Sequence, residues 1–154
     1  MRASVRRHVV IAAPADAAWA VVTRADVLHH WFPGLREVVM TAPQVRRITT
    51  GIGVSLDEEI VTNDPLQRRF QYRIVGGLFA EHLASIDVIA LDDDRCLVTY
   101  ASDADPATMA IVLGGVMEEA LTSLRAQLEA GAGPALDAIA TPAPVPTTAE
   151  GASA

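Results

Sequence analysis

An acid, a histidine and two tyrosines, spread over four neighbouring strand-like segments, are the groups that could carry chemistry in this chain. Glu58, His82 and Tyr72 can each give or take a proton, and proton transfer is the central step of reactions at carbon atoms beside carbonyls. Tyr100 supplies a second phenolic hydroxyl that can orient a substrate. We therefore take Glu58, His82 and Tyr72 as candidate catalytic residues.

Each of these residues can also have a purely structural role, and the sequence does not decide between the two. Glu58 can form a buried ion pair with Arg46 or Arg68, because a carboxylate removed from water must be paired or protonated. His82 can be a hydrogen-bonded core or rim histidine. The two tyrosines can simply pack, with hydroxyls bonded to the backbone or to water.

Strand alternation predicts which side chains share the concave face of a sheet. The more apolar parity of the segments 54–63, 67–75 and 95–103 contains Glu58, Tyr72 and Tyr100. In segment 80–91 the two parities are similarly apolar, so a bulge there would turn His82 outward. The face assignment predicts a mainly apolar cavity whose candidate ligand-binding residues are Trp31, Arg46, Phe70, Tyr100, Met109, Leu113 and Met117.

The elements that must position these residues follow from turn and cap signals. A first strand at 4–12 runs into Pro14, a residue suited to a helix start, and an amphipathic helix carries Trp19. A second short helix, with Asp26 as its expected N-cap, ends at Pro33-Gly34. Asp105-Pro106 opens a long helix that ends at Gly131. Between them, turn residues separate strands predicted at 36–41, 45–50, 54–63, 67–75, 80–91 and 95–103.

This order predicts an α+β fold, a curved antiparallel sheet of six or seven strands around the long helix, because short connections favour antiparallel pairing. We expect one domain over residues 1–131 and a disordered, Ala/Pro-rich tail over 132–154. No stretch reaches the ~20 apolar residues of a membrane span. The sequence leaves a monomer and a homodimer equally open.

Composition narrows the chemistry further. The net charge of −7 disfavours nucleic acid as a partner. All twelve basic residues are arginine, so no side-chain amine can form a Schiff base. Cys96 is the single cysteine, which excludes an internal disulfide and fits a cytoplasmic location. His29 and His30 are adjacent and would point apart on a helix, and no cofactor motif is present, so we expect neither metal nor cofactor.

Four pieces of the chain together resemble the polyketide cyclase/dehydrase-like branch of the START/Bet v 1-like superfamily, also called SRPBCC. They are residues 11–14 with Trp19; Asp26, Leu28 and Trp31; residues 58–61 with Asp64, Arg69 and Tyr72; and Leu121, Leu124 and Leu128. The resemblance covers about residues 4–130. It implies a helix-grip fold whose cavity binds hydrophobic or amphipathic small molecules, and its members include carriers and aromatase/cyclases.

Three functions follow as hypotheses. The first is binding of a lipid, polyketide or isoprenoid-like molecule in the cavity, without a cofactor. The second is a cyclase or dehydratase that folds a poly-carbonyl chain and moves protons through Glu58, His82 and Tyr72. The third is a protein-interaction module whose cavity is vestigial, and a filled interior would favour it.

Overall fold

The secondary structure follows the turn signals of the sequence closely. The computed structural model describes residues 1–142. Its elements, in chain order, are β1 (Ala3–Ile11), α1 (Ala15–Val22), a 3-10 helix (Ala25–His30), β2 (Leu35–Ala42), β3 (Val45–Thr50), β4 (Ser55–Asp64), β5 (Arg69–Val75), β6 (Glu81–Ala90), β7 (Cys96–Asp105), α2 (Ala107–Ala130) and α3 (Pro134–Ile139).

Seven antiparallel strands form one sheet in the order β1-β7-β6-β5-β4-β3-β2, which confirms the predicted fold class. The sheet bends around α2, which packs chiefly against β1 and β7. The main hydrophobic core lies between the concave face, α1, the 3-10 helix and the C-terminal half of α2. This helix-grip arrangement makes the concave side chains the lining of the interior.

The register of β6 settles the position of His82. The β6–β7 ladder runs from Glu81 opposite Asp105 to Ala90 opposite Cys96 without a bulge, so His82 faces inward. The irregularity lies in β4 instead, between Ile60 and Thr62. Regular alternation from Glu58 and Ile60 would put Thr62 on the concave face. Because of the bulge, Thr62 instead pairs with Gln71, donates its hydroxyl to that side chain and lies on the other face.

Arg68 also lies elsewhere than predicted. Strand β5 begins at Arg69, and Arg68 sits in the preceding turn with a φ of 48°. From there its guanidinium reaches outward to the Asp16 carboxylate, at 2.7 Å. Of the two partners proposed for Glu58, only Arg46 remains on the concave face.

Two helix starts differ from the sequence prediction in detail. The 3-10 helix begins after Arg24, and the carboxylate of Asp26 binds the Arg24 guanidinium instead of capping backbone N–H groups. Asp105 belongs to β7, and Pro106, joined to it by a cis peptide bond, is the residue before α2. At the other end of α2, Gly131 has the predicted left-handed conformation.

The glycine pair of α2 has two different surroundings. A Cβ at Gly114 would lie 2.9 Å from both Val5 Cγ2 and Arg7 Nη2, so this glycine lets α2 approach β1 closely. A Cβ at Gly115 would meet open space.

Among the described residues, α2 is the one helix long and apolar enough to cross a membrane, with a mean hydropathy of 1.3. Its packing against β1 and β7 is that of a core helix.

The chain continues as ordered structure past Gly131, where the sequence predicted a disordered tail. Pro134 occupies the first turn of α3, and Ala135 is fully buried in the main core. Gln127 connects the two helices and the 3-10 helix, since its amide accepts from Ala135 N and donates to His30 O. The prediction failed because a short apolar helix gains its stability from tertiary packing. The rest of the predicted tail, 143–154, lies outside the described residues.

Candidate functional site

A buried ion pair occupies the centre of the concave face. Arg46 on β3 and Glu58 on β4 are directly opposite each other in the ladder, and both point inward. The Arg46 Nε lies 2.7 Å from Glu58 Oε2, and the two side chains are only 2% and 3% exposed. Alternation of apolar and polar residues along both strands places them there, as strand parity predicted for Glu58.

Arg46 is held by more than its carboxylate. Its Nη1 donates to the Ala25 carbonyl at 3.1 Å, which ties β3 to the 3-10 helix. The guanidinium carbon lies 4.8 Å from the centroid of the Tyr72 ring and 5.4 Å from that of Phe70, within the range of a cation–π contact. Its Nη2 is buried and, within residues 1–142, has no hydrogen-bond partner.

Two tyrosine hydroxyls face each other beside this pair. Tyr72 on β5 and Tyr100 on β7 are buried and hydrogen-bonded through their hydroxyl groups. One such bond uses one of the two phenolic protons, so the accepting hydroxyl keeps a second proton to donate. Burial raises the pKa of both hydroxyls, so both tyrosines are neutral donors near pH 7.

The same desolvation acts on Glu58. Burial raises the pKa of its carboxyl above the usual value, while the adjacent Arg46 charge and hydrogen bond act in the opposite direction. A carboxylate with a raised pKa accepts a proton more readily than an exposed one, as a general base requires.

Trp31 adds another donor without an acceptor. It is 2% exposed and lies inside the main core, although the end of a short helix could also have placed it at the cavity entrance. Its ring contacts Phe32, which in turn meets Tyr100 edge-on with centroids 6.4 Å apart. The indole Nε1 is buried and unpartnered in the described part of the chain. We call Trp31, Arg46, Tyr72 and Tyr100 the donor cluster.

His82 belongs to a second buried polar group. Its Nδ1 accepts from the Ile74 backbone N–H at 3.0 Å, so the ring proton is on Nε2, which lies 3.2 Å from Ser102 Oγ. Burial lowers the pKa of His82 to about 4, with Asp103 opposing the shift, so the ring is neutral. We call His82, Ser102 and Ile74 the histidine cluster.

The structure places the predicted site residues in three groups: the network around Arg46 and Glu58, the histidine cluster and a smaller hydrophobic cluster. Glu58, Arg46, Tyr72, Tyr100 and Phe70 are in one contact network, and Met117 packs into the core that contains it. His82 touches this network only through its ring, 5.7 Å from that of Tyr72. The remaining two predicted residues, Met109 and Leu113, pack against a smaller hydrophobic cluster formed by Ile74, Phe79, Ala104 and Ala110.

The interior is packed, contrary to the open hollow that the sequence predicted. Trp31, Arg46, Phe70 and Tyr100 are among the largest fully buried side chains, and they fill the space around Glu58. Three pockets of about 700, 720 and 360 Å³ open on the outer surface, and none of these three is lined by those residues. The small residues Ala84 on β6 and Ala110 on α2 are consistent with empty space in the sequence, but strand parity could not show that the Arg46 guanidinium lies over the rings of Phe70 and Tyr72.

Three residues of the site were not found as such from the sequence. Ser102 has the same strand parity as Tyr100, and this parity is a signal for its position. Phe32 contacts Tyr100, but its place after the 3-10 helix gives no such signal. Phe79 lies in the Gly-rich β5–β6 connection, where an apolar residue resembles any exposed loop residue, yet it is buried against His82.

Within residues 1–142, no group of three or more His, Cys, Asp or Glu side chains could hold an ion. The rings of His29 and His30 lie with centroids 4.0 Å apart and are tilted by 38°, so the two side chains do not point apart as predicted.

The helix-grip fold defined by this sheet and helix is shared with solved structures. The Zhui aromatase/cyclase from Streptomyces sp. R1128 is 18% identical, with a TM-score of 0.73 over 84% of this chain and 94% of that one. A START superfamily protein from Mycobacterium smegmatis is 17% identical, with a TM-score of 0.72 over 82% and 97%. Norcoclaurine synthase from Thalictrum flavum is 17% identical, with a TM-score of 0.68 over 85% and 96%.

The family assignment is firmer than any single structural likeness. Residues 2–129 match the family described as polyketide cyclase / dehydrase and lipid transport. The chain belongs to this family. No curated protein matches the chain significantly in sequence. The assignment fits ligand binding or a cyclase-type activity, and the choice between them depends on the site.

Proposed function

We propose that the protein binds a hydrophobic or aromatic small molecule with hydrogen-bond acceptor oxygens, in the interior between the sheet and α2. The observation that carries this proposal is the pair of buried donors without acceptors, Arg46 Nη2 and Trp31 Nε1, found among the described residues. A buried polar group without a partner costs about 1–3 kcal/mol, and more when charged. A ligand oxygen would recover this energy.

The charge of the site selects the kind of oxygen. Glu58 already neutralises the Arg46 guanidinium, so the pair has no net charge to offer a carboxylate. A neutral carbonyl oxygen fits the free N–H of such a pair, and the remaining hydroxyl proton of the tyrosine pair can donate to another. We therefore infer a ligand with several carbonyl groups, such as a polyketide, in preference to a fatty acid.

Entry of the ligand requires the interior to rearrange, because the donor cluster is packed. The wall formed by α2 is suited to this, since the side chains of Met109 and Met117 are unbranched and flexible and adapt to new shapes. Met109 and Leu113 are also only partly buried, whereas Met117 lies in the core. We infer that the Arg46 side chain moves off the rings of Phe70 and Tyr72 when the ligand enters, and that the ligand occupies the space this opens.

A cyclase or dehydratase activity is the second candidate. The donors that would bind a carbonyl oxygen would also stabilise the enolate formed when a proton leaves the adjacent carbon. Glu58, with its raised pKa, is the group placed to exchange that proton, with Tyr72 beside it. His82 has both ring nitrogens in hydrogen bonds and serves structure in this scheme. Full turnover of a cyclisable substrate by Glu58→Gln would remove the acid from the mechanism.

The packed interior favours a third candidate, a protein-interaction module. Calorimetry with anthraquinone-2-sulfonate and anthracene-2-sulfonate separates it from ligand binding, because these probes differ only in two carbonyl oxygens. We expect the quinone to bind roughly tenfold more tightly, a difference of about 1.4 kcal/mol. In Arg46→Met/Glu58→Leu the preference for the quinone should fall, because only the Trp31 and tyrosine donors remain.

The matched control is Arg47→Met/Asp57→Leu, which removes the neighbouring ion pair of the same two strands on the outer face. This variant should keep the preference for the quinone. Equal binding of both probes to the wild type would contradict the proposal for the donors. Failure of both probes to bind would support the interaction module.

A further inference from the structure

Three connecting segments meet at one end of the sheet. The register places the β3–β4 turn (51–54), the β5–β6 connection (76–80) and the start of α2 together, since Thr49 pairs with Ser55, Asp57 with Val75, and Glu81 with Asp105. Phe79 and Ala110 share one hydrophobic cluster, which joins the second segment to the helix.

Large apolar side chains are exposed on all three segments. Ile52, Ile111 and Leu78 are 90%, 80% and 74% exposed, values close to those of a free chain. Ile52 stands between Gly51 and Gly53 at a turn tip, a place where small polar residues are usual. We call the exposed apolar residues of this end the apolar rim: Ile52, Val54, Val75, Leu78, Ile111 and Val112.

The apolar rim carries no charge. The segments 51–56, 75–80 and 106–117 contain no Asp, Glu or Arg, although 20% of the chain is charged. Three charged groups at its border are in ion pairs: Asp57 with Arg47, Glu81 with Arg2, and Asp105 with the N-terminal amine. Covering the rim would therefore remove no unpaired charge from water, which keeps the desolvation cost low.

From this arrangement we propose that the apolar rim docks the protein onto a zwitterionic lipid surface. Separate apolar tips can each enter the headgroup region, where peripheral segments reach a depth of about 5–10 Å. The chain has a net charge of −7 and no arginine in the rim, so an anionic membrane would repel it. A bilayer of neutral headgroups is the surface that matches an uncharged rim.

The rim also continues inward. Beneath it lies the smaller hydrophobic cluster of Ile74, Phe79, Ala104 and Ala110, with Met109 and Leu113 packed against it. This gives an apolar path from the docking surface towards the donor cluster. Docking itself requires no interior ligand, so it is testable whether or not the proposed function holds.

Vesicle flotation with phosphatidylcholine liposomes tests the proposal. The wild type should float with the vesicles, and Ile52→Ser/Leu78→Ser/Ile111→Ser should bind at least about tenfold more weakly. All three changes are at exposed positions, and circular dichroism checks that the variant is folded. Liposomes containing phosphatidylglycerol should bind the wild type less than pure phosphatidylcholine does.

The matched control is Leu66→Ser, because Leu66 is 85% exposed in the β4–β5 turn at the opposite end of the sheet. This variant should float like the wild type. The proposal is overturned if the wild type stays in solution, or if Leu66→Ser weakens binding as much as the triple variant. A wild-type dimer that the triple variant dissociates, without vesicle binding, would instead make the rim an interface between copies.

Discussion

The two buried polar clusters of this molecule differ in how completely their hydrogen bonds are made. In the histidine cluster both ring nitrogens of His82 have partners, one of them the Ile74 N–H beyond the end of the β5–β6 ladder. In the donor cluster Arg46 and Trp31 each keep a buried N–H without an acceptor among the described residues.

This difference indicates different roles for the histidine cluster and the donor cluster. A buried polar group that is fully partnered stabilises the fold and gains nothing from a ligand. A buried donor without a partner lowers stability, so several such donors in one site need an explanation. A ligand that accepts their hydrogen bonds would supply one. The comparison therefore fits a structural role for His82, which holds β5 and β6 together, and supports the proposed role of the donor cluster in ligand recognition.

The largest effect should come from breaking the Arg46–Glu58 pair on one side only. Arg46→Met leaves a buried carboxylate alone and should lower the free energy of unfolding by about 3–5 kcal/mol. Arg46→Met/Glu58→Leu removes both charges and should cost about 1 kcal/mol or less. Urea denaturation measures both. Equal losses in the two variants would mean that the pair is not coupled as the structure shows.

The pH dependence of stability should identify His82 as the structural histidine. Burial lowers its pKa to about 4 from the ordinary value of 6.5, so the unfolded chain takes up a proton first as the pH falls. The stabilisation is present above pH 6.5 and is lost towards pH 4, a loss of about 3 kcal/mol. His82→Gln should flatten this part of the stability curve.

The control for that experiment is His8→Gln, at an exposed position of β1. The slope of its stability curve between pH 6.5 and 4 should equal that of the wild type. A wild-type slope that persists in His82→Gln would place the titrating group elsewhere and remove the distinction between the two clusters.

The smallest effect should come from the tyrosine pair. Tyr72→Phe or Tyr100→Phe removes one hydrogen bond and should cost about 1 kcal/mol. The double variant should cost no more than either single one, because no hydroxyl is then left without a partner. Thermal melting of the three variants gives this comparison, and strictly additive losses would show that the two hydroxyls act independently.

Local signals were enough to predict the fold and part of the site. Turn residues placed every strand within a few positions, and strand parity found that Glu58, Tyr72 and Tyr100 face inward. The bulge after Ile60, the outward turn of Arg68 and helix α3 depend on partners distant in sequence. Strand parity carries no information about such partners, nor about how far the Arg46 guanidinium extends over the rings.

The most direct test of the donor cluster uses the indole N–H resonances of the two tryptophans, Trp19 and Trp31. In a ¹⁵N-correlated NMR spectrum, assigned with Trp19→Phe, anthraquinone-2-sulfonate should shift the Trp31 indole proton downfield, as a new hydrogen bond does. Anthracene-2-sulfonate should not cause that shift, and the Trp19 resonance serves as the internal reference. A Trp31 resonance that stays in place, or that responds equally to both probes, would contradict the assignment of these buried donors to ligand binding.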